Sequence, residues 1–331
     1  MKLAIIGGGS WGTALAIVLA PRFESVTLWV HESDLAARMS HSRVNDIFLP
    51  GCHLPDSVQI TTELVTALAG VDIVLGVMPS HHARGLYTAM LPHLTPSMIL
   101  VSATKGLEQG SLLRISQVME QVVGAKFSPR VAVLSGPTFA REVAVGNPNA
   151  VVVASSSAEV ARCVQDAFSG PTFRLYTNAD PAGVEVGAAL KNVIAIGAGI
   201  CEGLGLGHNP TAALITRGLA EITRLAIAMG GEAKTLAGLA GLGDLVLTCS
   251  GELSRNRYVG KELGAGKPLG EILGSMRMVA EGVETCGSAV ALGEKFGVDL
   301  PIIQQMHAVL SAGKSPKEAV RDLMERTLKG E

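Results

Sequence analysis

The sequence predicts a doubly wound α/β sheet over residues 1–178 and an all-helical domain over residues 179–331. In the first part, short Val-, Ile- and Leu-rich runs alternate with helical stretches, and after it only helical stretches follow. With 48% hydrophobic and 17% charged residues, the 331-residue chain has enough apolar material for two cores.

Seven runs are predicted to be strands, and several are continuous in Val, Ile and Leu, as expected for strands covered on both faces. The predicted strands are Leu3–Ile6, Val26–Val30, Asp72–Met78, Met98–Ala103, Val131–Ser135, Val151–Ala154 and Phe173–Tyr176. The predicted helices between them include Gly12–Leu19, Ala83–Met90 and Ser111–Val122.

The helical domain is expected to begin near Pro181, because proline suits the first turn of a helix. Its predicted helices span 184–200, 211–229, 257–263, 269–273, 284–296, 302–311 and 316–328. The first of these is apolar on most faces and rich in Gly and Ala, so it should cross the middle of the domain. Lys191 and Asn192 interrupt it, and a charge there requires a partner or a wet cavity.

Charge and cysteine usage exclude several classes of function. The 27 basic and 29 acidic side chains nearly cancel, so bulk charge favours neither nucleic acid nor anionic lipid as a partner. The five cysteines are scattered without a C-x-x-C, which argues against a disulfide framework or a structural zinc site. The uncharged run Leu3–Ala20 is broken by glycines, which makes it a poor signal peptide or membrane span. We therefore expect a soluble, cytoplasmic protein without membrane insertion.

The first predicted strand leads into residues 7–12 (GGGSWG), a G-x-G-x-x-G spacing that opens a helix. At this position the spacing is typical of a Rossmann dinucleotide-binding domain. Gly7 would permit the tight turn, Gly9 would let the backbone approach a pyrophosphate, and Gly12 would allow close helix–strand packing. The helix N-terminus would offer free N–H groups to the anion.

The end of the second strand bears on the choice of dinucleotide. An NAD-binding chain usually carries an acid here for the adenine ribose, whereas this chain has His31 followed by Glu32. His31 could accept a 2′-phosphate and Glu32 could bind the hydroxyl, so the sequence favours NADP(H) or the use of both dinucleotides. His31 could equally be a solvated loop residue.

Ligands of open α/β sheets lie beyond the carboxyl ends of the strands, which makes the segments there candidate contacts. Further segments of this kind are 79–81, 104–106 and 136–138. Lys105 is the charged residue close to its strand end and is a candidate for holding a phosphate or carboxylate, with a solvated loop lysine as the alternative. His81 and His82 lack Cys or acidic partners, so we expect no metal site.

The helical domain contributes three chemical features: Lys191, the acid Asp244 in a Gly-rich loop, and Ser254–Asn256 before a helix. Ser254 would cap that helix, and a helix start that carries Arg255 suits a phosphate dianion. Alternatively, Lys191 and Asp244 would be only a buried ion pair, and Arg255 only a surface residue.

Nine motifs occur in order and with natural spacing: GGGSWGTALA, PSH, ATKGLE, SGPTFAREV, LKNVIAIGAG, ALITRGLAE, GLAGLGDLVLTC, SRNR and VAEGVET. Together, from about Leu3 to about Gly313, they closely resemble the bacterial-type NAD(P)-dependent glycerol-3-phosphate dehydrogenases. The resemblance implies interconversion of dihydroxyacetone phosphate and sn-glycerol 3-phosphate, which supplies the backbone for phospholipid synthesis.

The resemblance also implies residue roles at the matching positions, with Lys191 as the catalytic acid/base. The implied substrate contacts are Lys105, Gly136, Thr138, Lys191, Asp244, Ser254, Arg255 and Asn256. Besides Gly7, Gly9 and Gly12 of the G-x-G-x-x-G turn, the implied dinucleotide contacts are Ser10, Trp11, His31, Lys105, Ala140, Arg255, Val279 and Glu281. Among small departures from the family pattern, His31 stands where Arg is also common, which leaves the cofactor preference open.

In this assignment Lys191 gives a proton to the C2 oxygen during reduction and removes it during oxidation. We expect burial and the cations Lys105 and Arg255 to lower the lysine pKa from its free value of ~10.4, and Asp244 to oppose them. A 6-phosphogluconate or 3-hydroxyacid type of dehydrogenase is the alternative enzyme, and an NAD(P)H sensor is the non-enzymatic alternative. The sequence leaves a homodimer open.

Overall fold

The computed structural model describes residues 1–276, 278–328 and 330. The chain divides into two compact units, Met1–Glu185 and Val186–Glu331. The predicted boundary after residue 178 coincides with the end of the last strand. The boundary between the two compact units lies further along the chain, inside the next helix. Within the first unit, the buried Glu185 carboxylate accepts hydrogen bonds from Arg114 Nη1 at 2.6 Å and Ser116 N at 2.8 Å, which ties the start of that helix to this unit.

The first unit is built on an eight-stranded sheet with the order β10-β9-β8-β7-β6-β1-β2-β5. Its strands are β1 Lys2–Ile6, β2 Ser25–Trp29, β5 Val58–Thr61, β6 Ile73–Gly76, β7 Ile99–Ser102, β8 Arg130–Ser135, β9 Asn149–Ala154 and β10 Phe173–Asn178. A separate hairpin pairs β3 Val44–Asn45 with β4 Leu49–His53. The strand order reverses between β1 and β6, which makes the carboxyl ends of these two strands the switch point of a doubly wound sheet.

The predicted doubly wound fold is confirmed, but two features of the sheet were not predicted: the edge strand β5 and the direction of β9 and β10. Strand β9 runs antiparallel to β8, with Val133 opposite Ala154, and β10 runs parallel to β9. The two strands at this edge therefore run against the other six. Strand direction leaves no mark on composition, because a strand buried on both faces is apolar in either direction.

Helices lie against the sheet because its central strands are apolar on both faces. In β1, Leu3 and Ile5 join one core cluster while Ala4 and Ile6 join another, as alternation along a strand requires. The helices of this unit are α1 Ser10–Leu19, α2 Ser33–Ser42, α3 Leu64–Ala67, α4 Ala83–Met90, α5 Ile115–Gly124, α6 Ala140–Ala144 and α7 Ala158–Phe168. Helix α5 begins four residues after the predicted start at Ser111, since Leu112 adopts a positive φ of 62°.

The second unit is helical throughout its described residues, as predicted. Its helices are α8 Pro181–Gly203 (which begins in the first unit), α9 His208–Ala228, α10 Ala233–Leu236, α11 Asp244–Ser250, α12 Arg255–Gly264, α13 Leu269–Ser275, α14 Glu281–Phe296, α15 Pro301–Ser311 and α16 Pro316–Met324. The segment predicted as a Gly-rich loop around Asp244 is instead a π-helical turn, Leu239–Gly243, that runs directly into α11. The prediction was wrong because close packing overrides the low helical propensity of glycine: a Cβ at Gly241 would lie 2.1 Å from Leu236 O.

Helix α8 is long and apolar enough to cross a membrane, yet its most apolar stretch is completely buried inside the protein. This burial is typical of a core helix, and it confirms the predicted central position of the helix in its domain.

Helices α8 and α12 meet along a seam of glycines, where their backbones come into contact. A Cβ at Gly199 would lie 2.0 Å from Arg257 O, and one at Gly260 would lie 1.9 Å from Ile196 O. Gly203 and Gly264 repeat the contact one turn further along each helix. Since only glycine fits at these positions, the seam fixes how closely α12 approaches α8.

We expect Gly260→Ala to destabilise the protein by about 3 kcal/mol, because the added methyl group would overlap a backbone carbonyl. Gly270→Ala is the matched control, since a Cβ on that helical glycine meets nothing within 4 Å and alanine is the better helix former. Urea unfolding of both variants measures the difference. Equal midpoints for the two variants would contradict the packing described for the seam.

Candidate active site

The Gly-rich turn after β1 has a backbone that side chains would obstruct. Gly7 has a φ of 128°, and a Cβ there would lie 2.3 Å from Val77 O. A Cβ at Gly12 would lie 1.9 Å from Gly7 O, so the start of α1 lies directly against the turn. At Gly9, by contrast, a Cβ would meet nothing within 4 Å. The turn is tightly packed at Gly7 and Gly12 and has free space beside Gly9, at the N-terminus of a helix. This arrangement fits a dinucleotide pyrophosphate.

Other predicted dinucleotide contacts lie near this turn. Ser10 and Trp11 form the first residues of α1, and Trp11 packs with Ala140 of α6 against a small core cluster. The buried Trp11 Nε1 has no hydrogen-bond partner among the described residues. An indole N–H can only donate, so this atom could serve a ligand oxygen.

His31 lies exposed just after β2, with its ring centroid 5.7 Å from that of Trp29. Glu32, equally exposed, is the N-cap residue of α2. Both candidates for the adenine ribose therefore stand beyond the carboxyl end of the strand beside β1, and neither geometry decides between NAD and NADP.

Lys105 brings together three of the predicted substrate residues. Its Nζ donates to Gly136 O and to Thr138 Oγ1, each at 3.0 Å. Gly136 has a φ of 148°, and a Cβ there would lie 2.9 Å from Val151 Cα, so this turn also requires glycine. The two bonds hold a half-buried cation at the carboxyl ends of β7 and β8.

Lys191 lies buried in α8, and its Nζ donates to Asp244 Oδ1 and to Thr248 Oγ1, each at 2.7 Å. Asp244 is fully buried, which makes this a charge pair removed from solvent. Thr248 lies one helical turn after Asp244 on α11 and donates its own hydroxyl to Asp244 O at 2.6 Å. The hydroxyl oxygen is thereby directed at the ammonium group. The carboxylate favours the charged form of the lysine.

Thr248 was not among the residues predicted from the sequence, although it lies four positions after Asp244. Residues four apart are neighbours on one face of a helix, and this segment was predicted to be a loop. Burial raises the pKa of the neighbouring Cys249 thiol to about 12, which disfavours its thiolate form.

The N-termini of α12 and α14 meet beside α8. Ser254 caps α12, as predicted, by accepting a bond from Arg257 N at 3.2 Å. Asn256 Nδ2 donates to Asn192 Oδ1 at 3.0 Å, and Asn256 Oδ1 accepts from Gly282 N at 2.9 Å. The chain of amides therefore links α8, α12 and α14.

Two side chains at or beside these helix ends suit the binding of an anion. Asn192 Nδ2 is buried without a partner among the described residues, and an unpaired buried donor is unfavourable unless a ligand accepts from it. Arg255 is the first residue of α12, and its Nη1 donates to Val279 O at 2.8 Å. Val279 is exposed and Glu281 opens α14, so these two predicted dinucleotide residues lie at the same place.

The structure thus groups the predicted site residues into three sets. The first is the Gly-rich turn with Trp11 and Ala140, the second is Lys105 with Gly136 and Thr138, and the third surrounds Lys191 in the second unit. Among the described residues, no group of three or more His, Cys, Asp or Glu side chains could hold a metal ion. The rings of His81 and His82 contact each other at a centroid distance of 4.1 Å.

The sequence matches one protein family over both units. Residues 2–161 match the family described as NAD-dependent glycerol-3-phosphate dehydrogenase N-terminus, and residues 180–321 match the corresponding C-terminus. The chain belongs to the NAD(P)-dependent glycerol-3-phosphate dehydrogenase family. A relative from Koribacter versatilis, named glycerol-3-phosphate dehydrogenase [NAD(P)+], is 59% identical over 98% of this chain and 97% of its own length.

Two further comparisons agree. A glycerol-3-phosphate dehydrogenase [NAD(P)+] of Geobacter sulfurreducens is 51% identical over 100% of this chain and 98% of its own. The crystal structure of glycerol-3-phosphate dehydrogenase from Coxiella burnetii superposes with a TM-score of 0.93 at 40% identity, covering 98% of this chain and 99% of that one. The family prediction is therefore confirmed.

We expect Thr248→Val to lower kcat by about tenfold, because the isosteric change removes a hydrogen bond to the Lys191 ammonium while Asp244 remains. The substrate KM should change little, since the threonine would orient the proton donor. Steady-state kinetics give both values. Thr223→Val is the control: it removes the same kind of bond, from Thr223 Oγ1 to Leu219 O at 2.8 Å, on α9. A Thr248 variant as active as this control would exclude the orienting role.

Proposed function

We propose that the protein interconverts dihydroxyacetone phosphate and sn-glycerol 3-phosphate with NAD(P)H and NAD(P)+. The observation that carries this proposal is the buried ammonium of Lys191, held by Asp244 and Thr248. Reduction of a ketone needs a proton at the oxygen as hydride arrives at carbon, and a positioned ammonium can supply it. We infer that this ketone is dihydroxyacetone phosphate because the chain belongs to the glycerol-3-phosphate dehydrogenase family.

The residues of the second unit would move and hold the proton. In reduction, Lys191 as ammonium donates to the C2 oxygen; in oxidation, neutral Lys191 removes the proton from the C2 hydroxyl. Asp244 and Thr248 set the direction of the ammonium group and favour its charged form, so positioning is in place before the substrate arrives. A bound nicotinamide dinucleotide supplies or accepts the hydride.

The substrate phosphate is the group that we assign to the paired helix ends. The N-termini of α12 and α14 direct partial positive charge at one place, and Arg255 adds a full charge with a planar fork of donors. Ser254 and Asn256 complete the set. Lys105, Gly136 and Thr138 are proposed as further substrate contacts, with Lys105 as their cation.

We assign the dinucleotide to the Gly-rich turn and to Trp11, supported by the open middle of the turn and the unpartnered indole N–H. His31 and Glu32 leave NADP(H) and NAD(H) both usable. The product would supply glycerophospholipid synthesis. We place the enzyme in the cytoplasm, where the five free cysteines would stay reduced.

The test follows absorbance of the reduced nicotinamide with dihydroxyacetone phosphate, using NADPH and then NADH. We expect rapid oxidation of at least one dinucleotide, with the ratio of kcat/KM values reporting the preference set near His31.

Lys191→Ala should bind dinucleotide normally and lose kcat by ~10²-fold or more.

Three results would contradict the proposal. Folded protein that binds dinucleotide but fails to reduce dihydroxyacetone phosphate would exclude the substrate. Turnover of 6-phosphogluconate or a 3-hydroxyacid in its place would identify the alternative dehydrogenase. Full turnover by Lys191→Ala would remove that residue from the proton transfer.

A further inference from the structure

Asn45 lies in the β3–β4 hairpin, outside the main sheet, and its side chain is completely buried. Its Nδ2 donates to Gly8 O and to Thr13 Oγ1, each at 2.8 Å. Its Oδ1 accepts from Phe48 N at 2.9 Å. The amide therefore bonds the hairpin to both the Gly-rich turn and the first turn of α1.

We propose that Asn45 is a positioning residue for dinucleotide binding, because it sets the orientation of the Gly8–Gly9 peptide. The inference rests on the proposed assignment of the dinucleotide to this turn. In a trans peptide the C=O and the N–H point in opposite directions, and all described peptide bonds are trans. By holding the Gly8 carbonyl, Asn45 directs the Gly9 N–H away from the hairpin, toward the open middle of the turn.

The constraint matters because a glycine-rich turn does not fix itself. Residues without a Cβ lose the most conformational freedom on ordering, and a flipped peptide would present a carbonyl oxygen to the pyrophosphate. A bond from a buried side chain removes that alternative before the ligand arrives, which lowers the ordering cost of binding.

The identity of residue 45 fits this task. A primary amide has two N–H donors and a carbonyl acceptor, and here Gly8, Thr13 and Phe48 use all of these groups. An aspartate at this position would keep the size and the acceptor but would lose both donors. The hairpin itself is held by Leu49 and Cys52, which pack in the cluster around Ala14 of α1, so Asn45 acts from a fixed support.

The test compares the Kd of ADP-ribose and of NADPH, measured by calorimetry, in wild type and three variants. Asn45→Asp and Asn45→Leu both remove the bond to Gly8, one with an added charge and one without. Thr13→Val is the matched control, because it breaks only the second Nδ2 bond and leaves Gly8 held. We expect both Asn45 variants to raise Kd by about tenfold or more, and Thr13→Val to stay within about threefold of wild type.

Three outcomes would overturn the proposal. If the Asn45 variants kept the wild-type Kd, or if Thr13→Val raised the Kd as much as they do, the Asn45 amide would only stabilise the fold. A loss confined to Asn45→Asp would be an effect of charge. A wild-type protein that binds no ADP-ribose would instead refute the dinucleotide assignment, which is a different result.

A measurement on the unmodified protein covers the case in which the variants do not fold. In NMR spectra of wild type, added ADP-ribose should shift the Gly9 amide strongly, while the Asn45 side-chain amide stays protected from solvent exchange. A Gly9 amide that does not respond to saturating ADP-ribose would contradict the orientation that we assign to it.

Discussion

The burial of one lysine charge governs the arrangement of the second unit. Lys191 lies in a helix whose most apolar stretch is fully buried, and an unpaired ammonium there would be strongly destabilising. Asp244 provides the opposite charge and Thr248 a further acceptor, so α11 must lie against α8 at this point. The pair is therefore a structural requirement that also fixes the direction of the Lys191 ammonium group.

Glycine packing brings the remaining groups to the same helix. The seam between α8 and α12 places Asn256 beside Asn192, and Gly282 brings α14 onto the same amides: a Cβ there would lie 2.6 Å from Asn192 O. In the first unit, glycines again provide close backbone approach, and a buried amide determines which way the peptide between two of them points. In both units, therefore, the arrangement of the candidate site residues depends on glycines, where the lack of a side chain lets backbones come close together.

Much of this could be predicted from the sequence. Most of the seven predicted strands are rich in Val, Ile and Leu, and the G-x-G-x-x-G turn lies between a strand and a helix, so both were identifiable from local pattern. Lys191 was identifiable because a charge is conspicuous in an apolar helix. Its partner Asp244 was found as an isolated acid, but in the wrong secondary structure, since glycine propensity argued for a loop and tertiary packing produced a helix.

The features that were missed depend on contacts between distant parts of the chain. Strand β3 has two residues, too few for any periodic pattern, and Asn45 reaches Gly8 across 37 positions. Thr248 becomes visible only once α11 is known to be a helix.

The role of Lys191 as proton donor is tested most sharply by the pH dependence of kcat for dihydroxyacetone phosphate reduction in wild type and Asp244→Asn, at saturating substrate and dinucleotide. If Lys191 is the proton donor and Asp244 holds it in the ammonium form, the variant loses that support and the lysine pKa falls. The rate should then decline at a lower pH in the variant than in wild type. Alkaline limbs that coincide in the two proteins would contradict the role of Asp244 in keeping Lys191 in its ammonium form.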